Sequence, residues 1–572
     1  MIRYTPASQL TLEGFEHPFD KALEAGNRWV KLAALIPWDE VAKVYSKNLE
    51  SDKGRLSVDV RMVIAAMIIK HRLKLSDRET VATISENIYM QYFCGLKSFQ
   101  SAEPFDASLL VDIRKRMGAE KFDAFNDLVI AKSEGLKPKR KRVMQEDKQH
   151  RQPADDETPQ PASAEQDATN TGCCGQPPAG DNPQRQNQEK TAATDVPAQT
   201  AATPATEDAS VASASTPQQP EAESAPNKGV LKIDATVADQ QIRYPTDLGL
   251  LNNSREESER IIDLLWEKKP QGLQTKPRTY RREARKLYLT VAKKKKKDRK
   301  TIRKAIGRQL RYLRRNLRSI EQMLDKFDEQ GFPLVYRDLR IYWVLQHIYA
   351  QQLKMYEEKT NSHPNRIVNI YQPYVRPIVR GKDKAPVEFG AKINISEYNG
   401  MSKIDTIGWE AFNESTGLIK QAERYKNTFG CYPELLLADR IYLTRDNRKW
   451  LQSKGMRIVH PPLGRPAKKP LTPYQKQKQR KERNQRNLVE GKIGQGKNGY
   501  ALNCIKARRQ DTSESWIAAI FFVMNLVTLL KEAETSFLRF FHRLILTTQA
   551  LYAQNKPGEP RLLLFMPAST AR

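Results

Sequence analysis

The stretch VLKIDATVADQQIRYPTD, Val230 to Asp247, decides how the middle of this chain folds. Its opening run, Val-Leu-Lys-Ile, reads as a buried strand, and Asp234 stands at the end of it, two residues before the β-branched Thr236. A carboxylate buried without a partner costs on the order of several kcal/mol, so such a position calls for company. A second short apolar run, ELLLAD from Glu434 to Asp439, also closes on an aspartate. In an open α/β sheet the carboxyl ends of the strands form the ligand-binding edge. If the two strands are neighbours, both aspartates come within reach of one ion. Clustered carboxylates repel one another, and a hard divalent cation such as Mg²⁺ relieves that repulsion while accepting phosphate oxygens.

Around these two runs the pattern is that of a mixed α/β layer. VEFGAKINISEYN and SKIDTIGWEAFN alternate as an antiparallel hairpin, with Asn399-Gly400 at its turn. STGLIKQAERYKNTFG then reads as a helix, DNRKWLQSKG as a helix stopped by Gly455, and MRIVHPP as a further strand. A third acid follows in YQKQKQRKERNQRNLVEGKIGQGKNGY, where Glu490 has Arg486 at i−4 and Arg483 at i−7 on one helical face. An acid within a basic stripe is a place for a metal-bound phosphodiester. Gly491, Gly494, Gly496 and Gly499 predict that the helix stops soon after Glu490, which leaves Lys497 on a loop. Each signal also has a plainer reading, since Asp favours turns and a Glu among basic residues is commonly a surface ion pair.

Outward from this core, residues 1–135 have helical periodicity, with a capping box at Ser76 to Glu79 and Asp106 opening a helix through Arg114, Lys115 and Arg116. They form either a helix-turn-helix-like DNA reader or a helical bundle that serves assembly. Residues 136–228 turn to Pro, Ala, Thr, Gln and Ser with almost no bulky apolar residues, the composition of a disordered linker. Residues 281–320 carry 18 Lys and Arg against 2 acids, with apolar residues at helical spacing. This reads as a basic helical insertion, about 250–385, that tracks phosphates, or as a charged surface arm.

The whole chain is basic, +29 with 96 Lys and Arg against 67 Asp and Glu, a footprint for a polyanion. Its 572 residues, 39% hydrophobic, allow three or four domains. The mean hydropathy of −0.68 fits folded domains diluted by a disordered segment. Five cysteines, at 94, 173, 174, 431 and 504, make neither a disulfide framework nor a paired metal site, and they fit a reducing compartment. Met1 to Asp20 lacks a signal-peptide apolar core, and the longest apolar run, Trp516 to Leu530, is broken by Asn525 and Thr528, as in a core helix.

The stretch RNQRNLVEGKIGQGK resembles the DDE transposases of bacterial insertion sequences, in the branch whose last acid lies in a Y-x2-R-x3-E-x6-K signature. Arg486, Glu490 and Lys497 match its R, E and K, while Arg483 stands in the tyrosine position. The resemblance covers most of residues 1–135 and 229–535, with ADRIY and VEGKIGQGK its most specific parts. It implies an RNase H-like mixed-sheet catalytic core, α/β, preceded by an all-α N-terminal domain that binds element ends, and followed by a tail at 536–572. It further implies that Asp234, Asp439 and Glu490 are the catalytic, metal-binding triad, with Mg²⁺ as cofactor and Mn²⁺ able to substitute. The expected DNA-binding residues are Arg483, Arg486, Lys497, Lys293, Lys294, Lys295, Lys296, Lys297, Arg311, Arg314 and Arg315. The expected partner is double-stranded DNA, at terminal repeats and target, bound by a homodimer in the bacterial cytoplasm at the nucleoid. Two rival readings share the same residues: a non-catalytic DNA-binding protein or repressor, and a metal-dependent nuclease without strand transfer.

Overall fold

The computed structural model describes residues 3–6, 16, 22–47, 57–134, 226–268, 270–327, 331–379, 387–460 and 471–554. The expected linker lies outside the described residues except for 226–228. Six helices come first: α1 (Arg28–Leu35), α2 (Trp38–Ser46), α3 (Val60–Leu73), α4 (Asp77–Glu86), α5 (Ile88–Phe93) and α6 (Leu109–Ser133). The capping box at α4 is formed, the Ser76 hydroxyl accepting from the Glu79 N–H and the Glu79 carboxylate from the Ser76 N–H. After them come β1 (Val230–Asp239), then α7 (Asp247–Glu267), α8 (Arg281–Ala292), α9 (Arg299–Leu324) and α10 (Tyr336–Glu357). The rest is β2 (Arg376–Val379), β3 (Val387–Tyr398), β4 (Met401–Gly408), α11 (Leu418–Phe429), β5 (Leu435–Leu437), α12 (Arg445–Ser453), β6 (Arg457–Ile458), α13 (Pro473–Gln485), α14 (Asn487–Tyr500) and α15 (Gln510–Gln554).

Among the described residues, one sheet carries all six strands in the order β2-β3-β1-β5-β6, with β4 also paired to β3. β3 runs antiparallel to β1 and β4, whereas β5 is parallel to both β1 and β6. The hairpin between β3 and β4 turns at Asn399 and Gly400, both at positive φ, 50° and 82°, as a two-residue hairpin turn requires. Lys232 and Glu397 face each other across β1 and β3 as a buried ion pair at 2.6 Å.

The N-terminal helices and the sheet share one apolar core, in which α15 packs against α6, α3 and β4. Asn525, in the middle of α15, is fully buried yet satisfied. Its carbonyl accepts from the Ser402 N–H at 2.9 Å, and its amide donates to Ser402 O and to Asn126, tying α15 to β4 and α6. The segment Gln510–Ser536 is long and apolar enough to cross a bilayer, but 83% of its apolar window is buried in the protein, as a core helix is. The helix continues past residue 535 without a break, and Leu538, Phe541 and Leu544 are exposed on it.

The insertion has its own core, built from Leu251, Ile261, Leu313, Ile320 and Leu345 among others. The lysine run departs from the expected helix: Lys293 caps the end of α8, and Lys294 to Lys297 form the exposed connection to α9. Five adjacent like charges repel, and at a turn they splay into solvent rather than stack along one axis. Arg114, expected near a DNA-reading face, is buried instead: its guanidinium donates twice to Asp77, at 2.9 and 2.7 Å, and lies over the Trp516 ring.

Candidate active site

β1 and β5 set the geometry of the site. They pair in parallel at Val230 with Leu435, Leu231 with Leu436, and Lys232 with Leu437. Asp234 and Asp439 each follow the last of these pairs by two residues, beyond the point where β5 ends. Asp234 is not the end of its strand, however. β1 continues to Asp239 along β3, with Asp234 opposite Ile395. The partner strand stops, and that opens the sheet at Asp234.

Asp439 is exposed and caps a short 3₁₀ turn, Arg440–Tyr442, its carboxylate accepting from the Arg440 N–H at 2.7 Å. Asp234 is mostly buried and accepts from the Ala235 N–H at 2.8 Å. Burial pushes its carboxyl up, against the pull of that N–H and of Arg486, and the charges of Glu490 and Glu414 push it further. Glu490 sits in the first turn of α14, half-exposed, where the helix dipole favours a negative charge. Arg486, at the break between α13 and α14, joins the two: its Nη2 lies 3.1 Å from Glu490 Oε1 and 3.8 Å from Asp234 Oδ2. Among the described residues no three Asp, Glu, His or Cys side chains are grouped closely enough to hold a metal ion. Asp234 and Glu490 instead share the guanidinium of Arg486.

Two neighbours carry no obvious mark in the sequence. Tyr442 is fully buried, its hydroxyl 3.4 Å from Asn394 Oδ1, and its acidity is suppressed by burial and by the charges of Glu414, Asp234, Asp405 and Asp439. Its hydroxyl thus reaches β3 within range of both candidate aspartates' charges, and its place in ADRIY was the available signal. Glu414 opens the 3₁₀ turn before α11 and pairs with Lys392 at 2.9 Å. No pattern in the sequence marked it.

The basic residues divide. α14 runs on through Tyr500, so Lys497 is helical rather than on a loop, and it sits 3.3 Å from Glu388 and 3.6 Å from Asp239. Two helical turns from Glu490, it ties α14 to the far half of β1. Arg483 is exposed in the last turn of α13. Lys293 to Lys297, Arg311 and Arg314 are exposed, and a cleft lined by Arg282, Arg285, Lys286, Lys293 and Lys294 lies beside them. Arg315 is half-buried: it stacks over Tyr280 at 4.3 Å and donates to Thr279 O.

The site thus combines two strand-linked aspartates with a glutamate and an arginine from α14 and its N-cap, in a strongly basic chain. Two family models make this specific. "Transposase DDE domain" matches residues 436–527, which include Asp439 and Glu490, and "Transposase domain (DUF772)" matches residues 17–116. A curated relative, "Uncharacterized protein ORF8 in nfe locus" from Rhizobium meliloti, is 33% identical over 106 residues, 18% of this chain and 51% of the relative. The chain thus spans about half the length of that relative. No solved structure matches significantly. The two domain matches support an insertion-sequence DDE transposase.

Proposed function

We propose that Asp234, Asp439 and Glu490 are the metal-binding catalytic set of an RNase H-like core that cuts DNA at the ends of a mobile element and joins them to a target. The parallel pairing of β1 with β5 carries this reading, because each aspartate follows the last paired residue, Lys232 or Leu437, by two positions. The strand order supports it too, with an antiparallel β1-β3-β4 meander on one side of β1 and parallel β5 and β6 on the other. Carboxylate oxygens from a strand, a strand-to-turn junction and a helix start are a hard donor set that suits Mg²⁺ or Mn²⁺. Bound divalent ions supply activation of the attacking oxygen and neutralisation of the leaving one.

In the first step a water oxygen attacks phosphorus and gives up its proton to solvent. The P–O3′ bond breaks, leaving a 3′-hydroxyl on the element and a 5′-phosphate on the flank. In the second step that hydroxyl loses its proton and attacks a target phosphodiester, so that a new P–O3′ bond forms and the target's own breaks. Asp234, held by the Ala235 N–H, would give a fixed carboxylate oxygen to hold a divalent ion. Arg486 offers a guanidinium to phosphate oxygens beside the cut. Lys293 to Lys297, Arg311, Arg314 and Arg483 hold the DNA backbone without reading sequence. Lys497 and Arg315, expected to join them, hold α14 and the insertion in place in the DNA-free protein. The substrate is double-stranded DNA, the working species a homodimer that holds two ends, and the compartment the cytoplasm.

The test is Mg²⁺-dependent cleavage and joining of a labelled duplex carrying the element's end, with binding measured in parallel. Glu490→Gln should bind within about twofold of wild type and lose turnover by roughly 10³-fold or more, as removal of a transition-state contact does. Wild-type cleavage without joining would favour the nuclease. Binding with no cleavage by either protein, across metals and salts, would favour the non-catalytic binder.

A further inference from the structure

The position of Arg486 raises a question that the acids alone do not. One nitrogen, Nη2, serves both Asp234 and Glu490, so the guanidinium occupies the space toward which their oxygens converge. Its Nε is buried without a hydrogen-bond partner among the described residues, so the group is not saturated where it sits. Arg486 also stands at a helix break, the C-cap of α13 and the N-cap of α14, with its side chain 27% exposed. A route toward solvent is therefore open to it.

We propose that Arg486 is a built-in counter-ion for the DNA-free site: it holds Asp234 and Glu490 against their mutual repulsion and must leave when those carboxylates take up a divalent cation. The inference rests on the reading of these acids as metal ligands. A guanidinium and a divalent cation cannot share the same oxygens at contact distance without strong repulsion, so the two are alternatives. This links metal loading to substrate. A phosphate that draws Arg486 outward strengthens cation binding, and by reciprocity a bound cation strengthens the hold of Arg486 on phosphate. An ordinary i,i+4 ion pair on a helix would have neither effect.

The experiment titrates Mn²⁺ into the full chain without DNA and follows free Mn²⁺ by electron paramagnetic resonance, in wild type, Arg486→Gln and Arg486→Lys. Arg486→Gln should bind Mn²⁺ about tenfold more tightly than wild type, within the usual range of coupling between sites. Arg486→Lys, which keeps the charge, should stay near wild type. The same Mn²⁺ concentration should raise the Tm of Arg486→Gln more than that of wild type. Arg486→Met takes its place if the glutamine variant does not fold. Equal or weaker binding by the neutral variant overturns the counter-ion role. Asp234→Asn and Glu490→Gln, titrated alongside, separate the two levels. If both keep wild-type Mn²⁺ binding, the metal reading itself fails; if both lose it while Arg486→Gln matches wild type, only the counter-ion falls.

Discussion

Asp77 shows how single residues hold the helical layer to the rest. Lys70 approaches it at 2.9 Å and Arg114 at 2.7 Å, and both cations are buried beside Trp516 of α15. Burial alone would push the Asp77 carboxyl up, but the Arg114 hydrogen bonds and the Lys70 charge outweigh it and hold it below the usual carboxylate range. A folded pKa depressed in this way gives stability that is present above the unfolded value, near 3.9, and is lost as pH falls through the folded value. Asp77→Asn should therefore cost about 3 kcal/mol at pH 6, since it leaves two buried cations uncompensated. At low pH the deficit should shrink, as pH falls from the unfolded value through the lower folded one and wild-type Asp77 also becomes neutral. Urea unfolding at the two pH values measures both. The identity of Arg114 was readable and its role was not: its carboxylate partner lies 37 positions away and on another helix.

Elements were legible where local chemistry decides them. The capping box at Ser76 and the Asn399-Gly400 turn both formed as their residues dictate. α14 was not legible, because its glycines oppose a helix and only packing overrides them. Gly496 lies against α15: a Cβ there would meet Leu502 Cδ2 at 3.1 Å and Met524 Sδ at 3.5 Å. A Cβ at Gly491 or Gly494 would meet nothing within 4 Å. Gly491→Ala and Gly494→Ala should then stabilise the protein by up to about 1 kcal/mol each, through helix propensity. Gly496→Val should destabilise it by about 1–3 kcal/mol, through overpacking. Thermal or denaturant unfolding of the three variants decides, and equal effects at all three sites would contradict this packing. β1 was read short for a related reason: Asp234 looked like a terminus, whereas pairing with β3 carries the strand five residues further.

At the scale of the whole molecule, charge and the candidate acids act together. The net charge of +29 was legible, but not its placement, since the run from Lys293 to Lys297 forms a loop and Arg315 turns inward onto Tyr280. Replacing Lys293 to Lys297 by serine should weaken DNA binding similarly for all sequences. It should also lower the slope of log affinity against log salt by about 0.9 for each phosphate that is no longer neutralised, with little change in Tm. Asp234 and Asp439 were legible as strand-linked acids, and Glu490 with Arg486 through their helical spacing and motif; Glu414, whose charge reaches Asp234, needed the fold. The function proposed for the chain depends above all on whether Asp234, Asp439 and Glu490 form one metal centre. Fe²⁺ substituted for Mg²⁺, with ascorbate and peroxide, cuts a polypeptide close to where it binds, and mass spectrometry of the fragments locates the cuts. Cleavage clustered near residues 234, 439 and 490, and abolished in Asp439→Asn, is the predicted result; cleavage elsewhere, or clustered there but unchanged in that variant, would contradict it.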